Sequence, residues 1–347
     1  MRILHLLQSR YFSGAENVVC QIFDMMKSEP EIQMAYCSRD GQIREALKER
    51  GIKYYSIKKL SVSEIKRVIK EYEPDIIHAH DISASIYASL ATLGKKCKIV
   101  SHVHVNNSDM AKINIKTICY GISTLCYKHI FWVSQSCFDS FVLKDMVRKK
   151  SSVLYNVMSK EQIVAKKNRD KNSYNYDIVY VGRLTEQKDP MRLIDVLVKV
   201  TELSPKSRIA IVGKGDLEEN VRKKVEKKNL ENNIVFKGFM NNPLKLLECS
   251  KVMIMTSKYE GLPMTVLEAM ALGVPLVSTP VDGLKDIIEN GVNGYLENDN
   301  DILARRLYEI ISDPELRNQL SIASQKKFDK INNLKEYKKK IKTVYEE

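Results

Sequence analysis

Residues 259–271, with the sequence YEGLPMTVLEAMA, join a loop that contains glycine and proline to the start of a helix. Pro263 is favoured at the first helical position, because the amide of that residue would have no partner inside the helix anyway. The amides that follow then point out of the helix start, where they can receive an anion. The segment therefore predicts an anion site at the amides of Met264, Thr265 and Val266.

Two carboxylates flank this helix start. Glu260 precedes the opening, and Glu268 lies about one and a half turns inside the helix. Carboxylates accept hydrogen bonds from sugar hydroxyls, so the combination suits a ligand that is part phosphate and part polyhydroxyl, such as a nucleotide sugar. Taken alone, the segment is equally compatible with a structural role, in which acidic residues near the N-terminus stabilise the helix dipole.

The composition is that of a globular protein. The chain has 347 residues, of which 44% are hydrophobic and 29% charged, and this length suits two domains. No apolar run approaches the roughly 18 residues of a membrane span, and the first residues, MRILHLLQ, are too short a run for a secretion signal. The seven cysteines are scattered without a C-x-x-C pair, which favours reduced thiols over a disulfide frame or a zinc site. We therefore expect a cytoplasmic protein.

The net charge of +13 is spread over both halves of the chain. A basic surface suits an anionic substrate, the anionic face of a membrane or nucleic acid. No recognised nucleic-acid-binding motif accompanies the charge, so we expect no nucleic-acid partner. The alternative explanation is general solubility, which requires no anionic partner.

Two successive runs of buried strands alternating with helices predict two α/β domains with doubly wound parallel sheets. The polar stretch 158–176 predicts a linker between them. We expect a first domain at 1–165, a second at 166–330, and a C-terminal helix at 331–347 that can pack back on the first. Ligands of such sheets bind at the carboxyl ends of strands, so the two domains are expected to face each other across a cleft. The predicted strands are 2–8, 32–37, 53–57, 75–79, 98–104, 130–134, 152–156, 177–181, 208–212, 233–236, 252–256 and 275–278.

The loop after the first strand contains small residues that would let the backbone approach a ligand, and Gly14 opens the helix that follows. No G-x-G-x-x-G sequence follows this strand, so we expect no nicotinamide or flavin cofactor. A tight turn with a helix cap is the structural alternative for this loop.

Two other strand ends of the first domain carry histidine pairs, His78 with His80 and His102 with His104. Residues i and i+2 of a strand share a face, so each pair can direct two imidazoles to one side of the sheet. Neutral imidazole is a common metal ligand, but no Glu or Cys falls at ligand spacing, and we expect no metal site. A polar wall of a sugar pocket and satisfied structural histidines are the two remaining interpretations.

In the second domain, a loop that leaves a strand carries Arg183 and Lys188. The planar fork of an arginine and the point charge of a lysine together suit a diphosphate. Basic loop residues are usually only solvated, but the position at a strand end favours a binding role. The turn Gly213-Lys214-Gly215 is a weaker signal of the same kind. In residues 281–284, a glycine could let a pyrophosphate or sugar pass.

Together these segments resemble the retaining glycosyltransferases of family 4, which have the GT-B architecture of two Rossmann-like domains. The resemblance covers nearly the whole chain. Glu260 and Glu268 are similar to the two glutamates, separated by seven residues, of the acidic motif of that family. Arg183 and Lys188 fall where the family has its phosphate-binding arginine and lysine. Further similarities are the G-x-G turn at 213–215, the N-G pair at 293–294, a G-G-A-E-like loop at 13–17 and the strand-end His104.

The resemblance implies roles for these residues. Arg183 and Lys188 would hold the nucleotide diphosphate in place of a divalent metal, and Glu268 would bind the ribose hydroxyls. Glu260 would bind the donor sugar, and His104 would lie beside the anomeric carbon and the acceptor, which makes these two the candidate catalytic residues. The implied donor-binding set is Gly14, Arg183, Lys188, Gly213, Glu260, Gly261, Leu262, Pro263, Met264, Thr265 and Glu268. The implied acceptor or pocket residues are Ser13, His80 and His102.

The implied reaction is sugar transfer with retention at the anomeric carbon, without a metal or cofactor. No protein nucleophile is established in the family, and the leaving diphosphate would take the proton of the acceptor. The sequence departs from the family pattern at Ser13 and Asp282, where glycines are usual, and the choice of sugar is open there. His102 is additional, so either His102 or His104 could face the cleft.

The function expected from this resemblance is transfer from a nucleotide sugar, preferably a UDP-sugar, to a glycan or lipid-linked acceptor in the synthesis of a bacterial surface polysaccharide. A nucleotide-sugar epimerase or hydrolase on the same fold is an alternative, although it needs an acid/base pair that the sequence does not offer. A non-catalytic partner subunit is another, although Arg183, Lys188 and both glutamates are present.

Residues 108–133 combine apolar and basic side chains in a pattern that suits peripheral contact with the inner face of the cell membrane or with an acceptor. An ordinary core helix is an equally compatible interpretation. The residues concerned are Ile113, Ile115, Ile118, Cys119, Ile122, Leu125 and Phe131 beside Lys112, Lys116 and Lys128.

Overall fold

The chain forms two compact units, each built on a parallel sheet. The first unit contains Met1–Asn156 together with Leu334–Glu347, and the second contains Val157–Asn333. The prediction of two Rossmann-like α/β domains is thereby confirmed. The computed structural model describes residues 1–10, 14–105 and 108–347.

The sheet of the first unit is buried along its central strands, as expected where helices cover both faces. Its described strands are β1 (Arg2–Leu6), β2 (Gln33–Arg39), β3 (Tyr54–Ile57), β4 (Ile76–His80), β5 (Lys98–Val103), β6 (Tyr127–Trp132) and β7 (Ser151–Val153). Their order is β3-β2-β1-β4-β5-β6-β7, so β1 pairs with β2 on one side and β4 on the other. The carboxyl ends of β1 and β4 therefore form the switch point where doubly wound sheets bind ligands.

Helices connect these strands, and α3 shows how the sequence sets their limits. The Ser61 hydroxyl accepts from the Glu64 amide at its start, and Glu73, at a φ of +50°, closes its end by donating to the Ile69 carbonyl. Apolar residues spaced three and four apart bury one stripe of this helix. The described helices are α1 (Gly14–Met26), α2 (Ile43–Glu49), α3 (Val62–Tyr72), α4 (Asp81–Thr92), α5 (Ile115–Ser123), α6 (Gln135–Asp139) and α7 (Lys144–Val147).

The second unit repeats the arrangement with a smaller sheet. Its described strands are β8 (Tyr176–Val181), β9 (Ile209–Val212), β10 (Ile234–Gly238), β11 (Ser250–Met255), β12 (Leu276–Ser278) and β13 (Tyr295–Leu296). Their order is β10-β9-β8-β11-β12-β13, and every adjacent pair is parallel. The switch point lies between β8 and β11, where the loops after these two strands leave the sheet side by side.

Helices of the second unit begin with recognisable caps. The side chain of Asp189 accepts from the Arg192 amide, and Pro190 occupies the first helical position after it.

No helix of the described residues is long and apolar enough to cross a membrane. The remaining helices are α8 (Lys160–Arg169), α9 (Pro190–Leu203), α10 (Glu218–Lys227), α11 (Leu244–Glu248), α12 (Met264–Leu272), α13 (Asp282–Ile287), α14 (Asn300–Ser312), α15 (Pro314–Ile331) and α16 (Leu334–Glu346).

The linker predicted at 158–176 is wrong for most of its length, because α8 occupies it. Ser159 caps this helix by accepting from the Gln162 amide, and Ile163 is buried. Lys167 forms an ion pair with Glu248 of α11, with 2.7 Å between Nζ and Oε1. The predicted domain boundary at residue 165 thus falls inside a helix of the second unit. A polar sequence concealed the helix, since only one of its side chains is fully buried.

The C-terminal helix α16 belongs to the first unit. Lys342 and Lys338 each form an ion pair with Glu29, at 2.5 Å, and lower the pKa of that carboxyl to about 2. The hydroxyl of Tyr345 lies 2.6 Å from Nδ1 of the buried His78. The helix thus covers the sheet near β4 with both apolar and polar contacts.

Two tyrosines of α16 give a matched test of this packing. We expect Tyr345→Phe to lower the free energy of unfolding of the first domain by about 1–3 kcal/mol, because Nδ1 of the buried His78 loses its partner. Tyr337→Phe should be neutral or stabilising, because the buried Tyr337 hydroxyl has no partner in the described part of the chain. Denaturant unfolding followed by the fluorescence of Trp132, the single tryptophan, measures both. Equal losses in the two variants would contradict the assigned hydrogen bond.

Candidate functional site

The loops that follow β8 and β11 meet at the switch point of the second sheet. Lys188 of the first loop donates to Glu260 of the second, with 2.5 Å between Nζ and Oε1. The two side chains are 13% and 6% exposed. A buried charge without a partner is costly, so this ion pair ties the loops together. The sequence predicted both residues as donor ligands but did not predict their contact.

Gln187 is a second link between these loops. Its side-chain amide donates to the Tyr259 carbonyl at 3.1 Å, and its backbone carbonyl accepts from the Lys258 amide at 2.8 Å. Its side-chain oxygen accepts from the Arg183 guanidinium at 3.2 Å. The exposed Arg183 is thereby held against the loop that carries Lys188. Sequence reasoning did not single out Gln187, because a glutamine in a loop carries no motif.

Glycines allow neighbouring loops to approach this pair closely. A Cβ at Gly213, whose φ is +138°, would lie 1.8 Å from the Gly182 carbonyl oxygen, next to Arg183. A Cβ at Gly283 would lie 1.8 Å from the carbonyl oxygen of Gly261, next to Glu260. Backbone packing between loops therefore explains both glycines. Of the loop predicted at 281–284, residues 282–284 belong to α13, and Gly283 makes room for the protein backbone.

The helix start after Glu260 differs by one residue from the prediction. Pro263 has a φ of −64° and a ψ of 129° and caps α12, which begins at Met264. The Val266 amide donates to the Pro263 carbonyl at 3.1 Å, so it is already engaged. The amides of Met264 and Thr265 have no acceptor among the described residues. Two amides, and not three, are thus available to an anion at this end.

Glu268 lies partly buried on α12. Desolvation raises the pKa of this carboxyl to about 7, and the positive charge of Lys166 opposes the rise only weakly. The carboxyl is therefore divided between its two protonation states near neutral pH. A ligand that donates hydrogen bonds to it would favour the ionised form.

Five buried histidines form a layer on one face of the first sheet, near its switch point. As the i, i+2 spacing predicts, the members of each pair share a face: the ring centroids of His78 and His80 are 4.5 Å apart, and those of His102 and His104 are 4.1 Å apart. His5 of β1 joins this layer. All five side chains are at most 6% exposed. The layer consists of His5, His78, His80, His102 and His104.

Hydrogen bonds link three rings of this layer. Nδ1 of His5 lies 3.0 Å from Nε2 of His80, and Nδ1 of His80 lies 2.8 Å from Nε2 of His104. Burial lowers the pKa of His5 and His104 to about 3 and that of His80 well below its usual value. The rings are therefore neutral at pH 7, and each contact shares one proton. His80 must donate at one nitrogen and accept at the other, which couples the tautomers of its two neighbours.

His104, just beyond the end of β5, is the most exposed member of the layer, at 6%. His102 lies inside the strand, fully buried, and neither of its ring nitrogens has a partner among the described residues. His80 and His102, predicted as pocket residues, thus lie in the interior of the first unit, and a direct contact with an acceptor stays a prediction. Gly14 is exposed at the start of α1, and Ser13 lies outside the described residues.

Asp81 fixes the position of His104 from the neighbouring strand end. It follows β4 with a φ of +70°, a conformation that is uncommon outside glycine. Its Oδ1 accepts from the His104 amide at 2.9 Å. Desolvation raises the pKa of this carboxyl to about 6, against the hydrogen bonds from the amides of His104 and Val105. Because a positive φ is invisible in the sequence, Asp81 was not singled out there.

The histidine layer also contains two groups of three whose ring nitrogens lie within 4.8 Å of one another, His5-His78-His80 and His80-His102-His104. Two nitrogens that bind one zinc at 2.0–2.1 Å in tetrahedral geometry lie about 3.3 Å apart. The contacts of 3.0 and 2.8 Å are shorter and match hydrogen bonds between neutral imidazoles. The arrangement therefore favours a hydrogen-bonded layer, and a metal-free reaction stays a prediction.

Comparisons with known proteins agree with this geometry. The family model described as "Glycosyl transferases group 1" matches residues 160–327, and the one described as "Glycosyl transferase 4-like" matches residues 15–129. The first covers the loops that carry Lys188 and Glu260, and the second covers the histidine layer from His78 onward. The chain belongs to the group 1 glycosyltransferases.

Relatives of this glycosyltransferase include enzymes of bacterial polysaccharide synthesis. It is 28% identical to the lipopolysaccharide 1,6-galactosyltransferase of Salmonella typhimurium, over 82% of each chain. It is 24% identical to the UDP-Gal:alpha-D-GlcNAc-diphosphoundecaprenol alpha-1,3-galactosyltransferase of Escherichia coli, over 87% of this chain and 85% of that one. The match to an uncharacterized glycosyltransferase of Methanocaldococcus jannaschii, at 27% identity, spans 62% of this chain and only 58% of that relative.

The fold of the glycosyltransferase is also that of solved structures. The structure of HepE from Anabaena in complex with UDP and glucose has a TM-score of 0.84 at 20% identity, over 100% of this chain and 99% of that one. The predicted GT-B fold, with two Rossmann-like domains, is confirmed by this similarity. The roles of individual residues stay predictions.

The histidine layer should make the first domain of this glycosyltransferase sensitive to mild acid. Each buried histidine has a folded pKa below its unfolded value of 6.5, so the unfolded state binds more protons as the pH falls below 6.5. The free energy of unfolding should then fall by about 1.4 kcal/mol per histidine and pH unit. We expect Trp132 fluorescence to report unfolding near pH 5.

A substitution inside the layer tests this cause. His102→Phe should reduce the number of protons taken up on unfolding by about one, and the acid midpoint should move to lower pH. The second domain contains no histidine, so hydrogen exchange in β8 serves as an internal control that should remain protected at pH 5. A first domain that stays folded below pH 4 would show that the buried histidines do not limit its stability.

Proposed function

We propose that this glycosyltransferase transfers a sugar with retention from a UDP-sugar to a glycan or lipid-linked acceptor of a bacterial surface polysaccharide. The observation that carries the proposal is the buried Lys188–Glu260 pair at the switch point of the second sheet. Arg183 is held on the same loop as Lys188, and the open start of α12 follows Glu260. This arrangement offers cations and free amides to a diphosphate, and carboxylates to sugar hydroxyls.

The names of relatives support the choice of donor and product class. The HepE structures contain UDP, glucose or UDP-glucose. The Salmonella enzyme is a lipopolysaccharide galactosyltransferase, and the name of the Escherichia coli enzyme gives both a UDP-Gal donor and a diphosphoundecaprenol acceptor. We therefore favour uridine as the base and a membrane-derived acceptor.

In the proposed reaction, the bond between the anomeric carbon and the diphosphate oxygen breaks while the acceptor oxygen bonds to the same face of that carbon. The proton of the acceptor hydroxyl passes to the leaving diphosphate. Arg183 and Lys188 stabilise the charge that develops on the diphosphate, and preorganised charges of this kind are often the largest contribution to catalysis. Glu260 binds the hydroxyls of the donor sugar, and Glu268 binds those of the ribose. His104, neutral at pH 7, contributes a hydrogen bond to the acceptor side of the reaction.

Binding without added metal tests the donor site. We expect a UDP-sugar to bind in the presence of a chelator, and Arg183→Ala to weaken it about 10–100-fold by loss of charge-assisted hydrogen bonds of about 1.5–3 kcal/mol. The matched control is Arg222→Ala, which removes an exposed arginine of the same domain that pairs with Glu218 on α10. Calorimetric titration with UDP-, GDP- and ADP-sugars measures both. Unchanged binding in Arg183→Ala, or binding that requires a divalent ion, would contradict the assignment.

Affinities measured for UDP and for the intact UDP-sugar distinguish the proposed roles of Glu260 and Glu268. Glu260→Gln should weaken the intact donor at least tenfold more than it weakens UDP, because the loss of the Lys188 ion pair affects both ligands, whereas only the intact donor carries the sugar assigned to Glu260. Glu268→Gln should weaken both ligands equally, because the ribose is common to them. The anomeric configuration of the product, determined by NMR, distinguishes retention from inversion. Hydrolysis of the donor without transfer to any glycan or lipid-linked acceptor would favour a hydrolase instead.

Donor affinity should depend on pH through Glu268. The ionised carboxylate accepts ribose hydroxyls, and its pKa of about 7 means that the ionised fraction rises between pH 6 and pH 8. We expect affinity for an intact UDP-sugar, whose diphosphate does not titrate in this range, to rise roughly tenfold over that interval. Glu268→Gln should abolish this dependence. The same dependence in the variant would assign the titration to another group.

Through Glu268, the free energy of unfolding should change with pH in the direction opposite to the change in donor affinity. The folded pKa of Glu268 lies above the ordinary glutamate value of 4.5, so the folded state binds more protons than the unfolded state between about pH 4.5 and 7. The free energy of unfolding of the second domain should therefore fall as the pH rises through this window, and less so in Glu268→Gln. Thermal unfolding of the two proteins at pH 5 and pH 7.5 measures the difference.

A further inference from the structure

Helix α5 of the first domain turns its apolar side outward. The residues that it buries carry a hydroxyl or, in one case, no side chain: they are Thr117, Tyr120, Gly121 and Ser123. Ile115 is 83% exposed and Ile122 is 63% exposed, and both lie on the opposite side. An ordinary surface helix has the reverse arrangement. The exposed aliphatic residues of this segment are Ile113, Ile115, Ile118, Ile122 and Leu125, here called the α5 face.

Hydrogen bonds fix this orientation. Asn114 and Thr117 form a reciprocal capping box at the start of α5. The hydroxyl of Tyr120 lies 2.9 Å from that of Ser101 in β5, and the hydroxyl of Ser123 lies 2.6 Å from that of Tyr127. A rotation that buried the isoleucines would expose these polar contacts. The outward position of the aliphatic residues is therefore a property of the fold and not of a loosely placed helix.

The charges around the α5 face are predominantly positive, although the exposed Asp109 lies beside Lys112, and Asp145 pairs with Arg148. No aspartate or glutamate occurs in residues 110–138, whereas Lys112 and Lys116 are exposed beside the isoleucines. The basic segment 148–150 lies next to the end of the helix, because Lys150 donates to the carbonyl oxygens of Thr124 and Tyr127 at 2.8 and 3.3 Å. An apolar surface with a basic border complements an anionic surface.

Two residues predicted for this surface do not belong to it. Phe131 is fully buried in β6, and Lys128 donates to the Tyr345 carbonyl on α16 at 3.2 Å. The other aliphatic and basic residues of the prediction are exposed. The sequence left open whether this segment is a core helix or a surface for a membrane or an acceptor. The core-helix interpretation is wrong for the outer side of α5, because its aliphatic side chains are exposed.

We propose that the α5 face docks on an anionic lipid bilayer, with its aliphatic side chains inserted at the boundary between headgroups and acyl chains. With nine residues, α5 is far too short to span a bilayer, but an interfacial helix needs only one apolar side. A second copy of the chain fits this surface less well, because two predominantly basic borders would repel each other. The proposal goes beyond the donor chemistry and is independent of it.

Co-sedimentation with vesicles tests the docking directly. We expect the full chain to bind vesicles of phosphatidylglycerol and phosphatidylcholine, and to bind pure phosphatidylcholine at least tenfold more weakly. Ile115→Ser with Ile122→Ser should reduce partitioning at least tenfold, because each buried aliphatic side chain contributes substantially. The matched control is Leu203→Ser with Ile322→Ser, which removes aliphatic side chains of 48% and 45% exposure from α9 and α15. Trp132 fluorescence melts verify that the first double variant is folded, and thermal unfolding followed by circular dichroism verifies the control, whose substitutions lie in the second domain.

Lysine substitutions test the electrostatic contribution to vesicle binding. Lys112→Gln with Lys116→Gln should weaken binding to the anionic vesicles about fivefold per lysine, the factor that corresponds to about 1 kcal/mol. The matched control, Lys227→Gln with Lys228→Gln, changes exposed lysines at the end of α10 in the second domain. Equal losses in the two pairs would mean that net charge alone drives binding, which would overturn a specific docking face.

A label on Cys119 distinguishes insertion from surface attraction. Cys119 and Cys126 are the two exposed cysteines, so Cys126→Ser leaves Cys119 as the accessible thiol on α5. A polarity-sensitive fluorophore there should shift to shorter wavelength on anionic vesicles and be quenched by brominated acyl chains. An unshifted label on bound protein, or no vesicle binding, would overturn the proposal. So would light scattering that shows a dimer which Ile115→Ser dissociates. Donor binding measured in the same preparations keeps this outcome separate from the proposed function.

Discussion

The ion pair between Lys188 and Glu260 is the interaction on which the organisation of the second domain depends. Both side chains are nearly removed from water, and a charge in such a place is tolerated only when it is paired. The pair therefore obliges the loops after β8 and β11 to meet. Gly213 and Gly283 then let two further segments pack closely against the backbones of these two loops, at Gly182 and Gly261. The candidate donor site is thus formed without a ligand, and preorganisation of this kind lowers the entropy lost on binding.

At the corresponding position, the first domain carries mainly neutral groups, with Asp81 as the one carboxyl described beside them. Its buried histidines are neutral imidazoles, of which His5, His80 and His104 hydrogen-bond to one another and His78 hydrogen-bonds to Tyr345 of α16. Neutrality follows from burial, since desolvation lowers the pKa of each ring. The two domains thus differ in the sense expected for a two-substrate transferase. Fixed charges suit a diphosphate, while neutral hydrogen-bonding groups suit the uncharged hydroxyl of a sugar acceptor.

Much of this fold followed from the sequence because its signals are local. Buried apolar runs alternate with amphipathic stretches, so the two parallel sheets and the loops with Arg183, Lys188 and Glu260 could be placed at strand ends. What failed depends on tertiary context. Helix α8 has a polar sequence and is held by Lys167 and a cap, and the contact of Asp81 with His104 requires a positive φ. The pairing of Lys188 with Glu260 joins residues 72 positions apart, which no spacing rule reveals.

Helix α5 shows where periodicity alone misleads. Its aliphatic residues recur at helical spacing, and such a stripe ordinarily faces the core, so the sequence left a core helix and a membrane face equally open. Tyr120 and Ser123 exclude burial of the aliphatic stripe, because their hydrogen bonds to Ser101 and Tyr127 hold the opposite side of the helix against the domain. Polar residues with defined partners then outweigh aliphatic residues that could be buried elsewhere. The proposed docking would account for this inversion, because it places the exposed isoleucines in the apolar environment of the lipid.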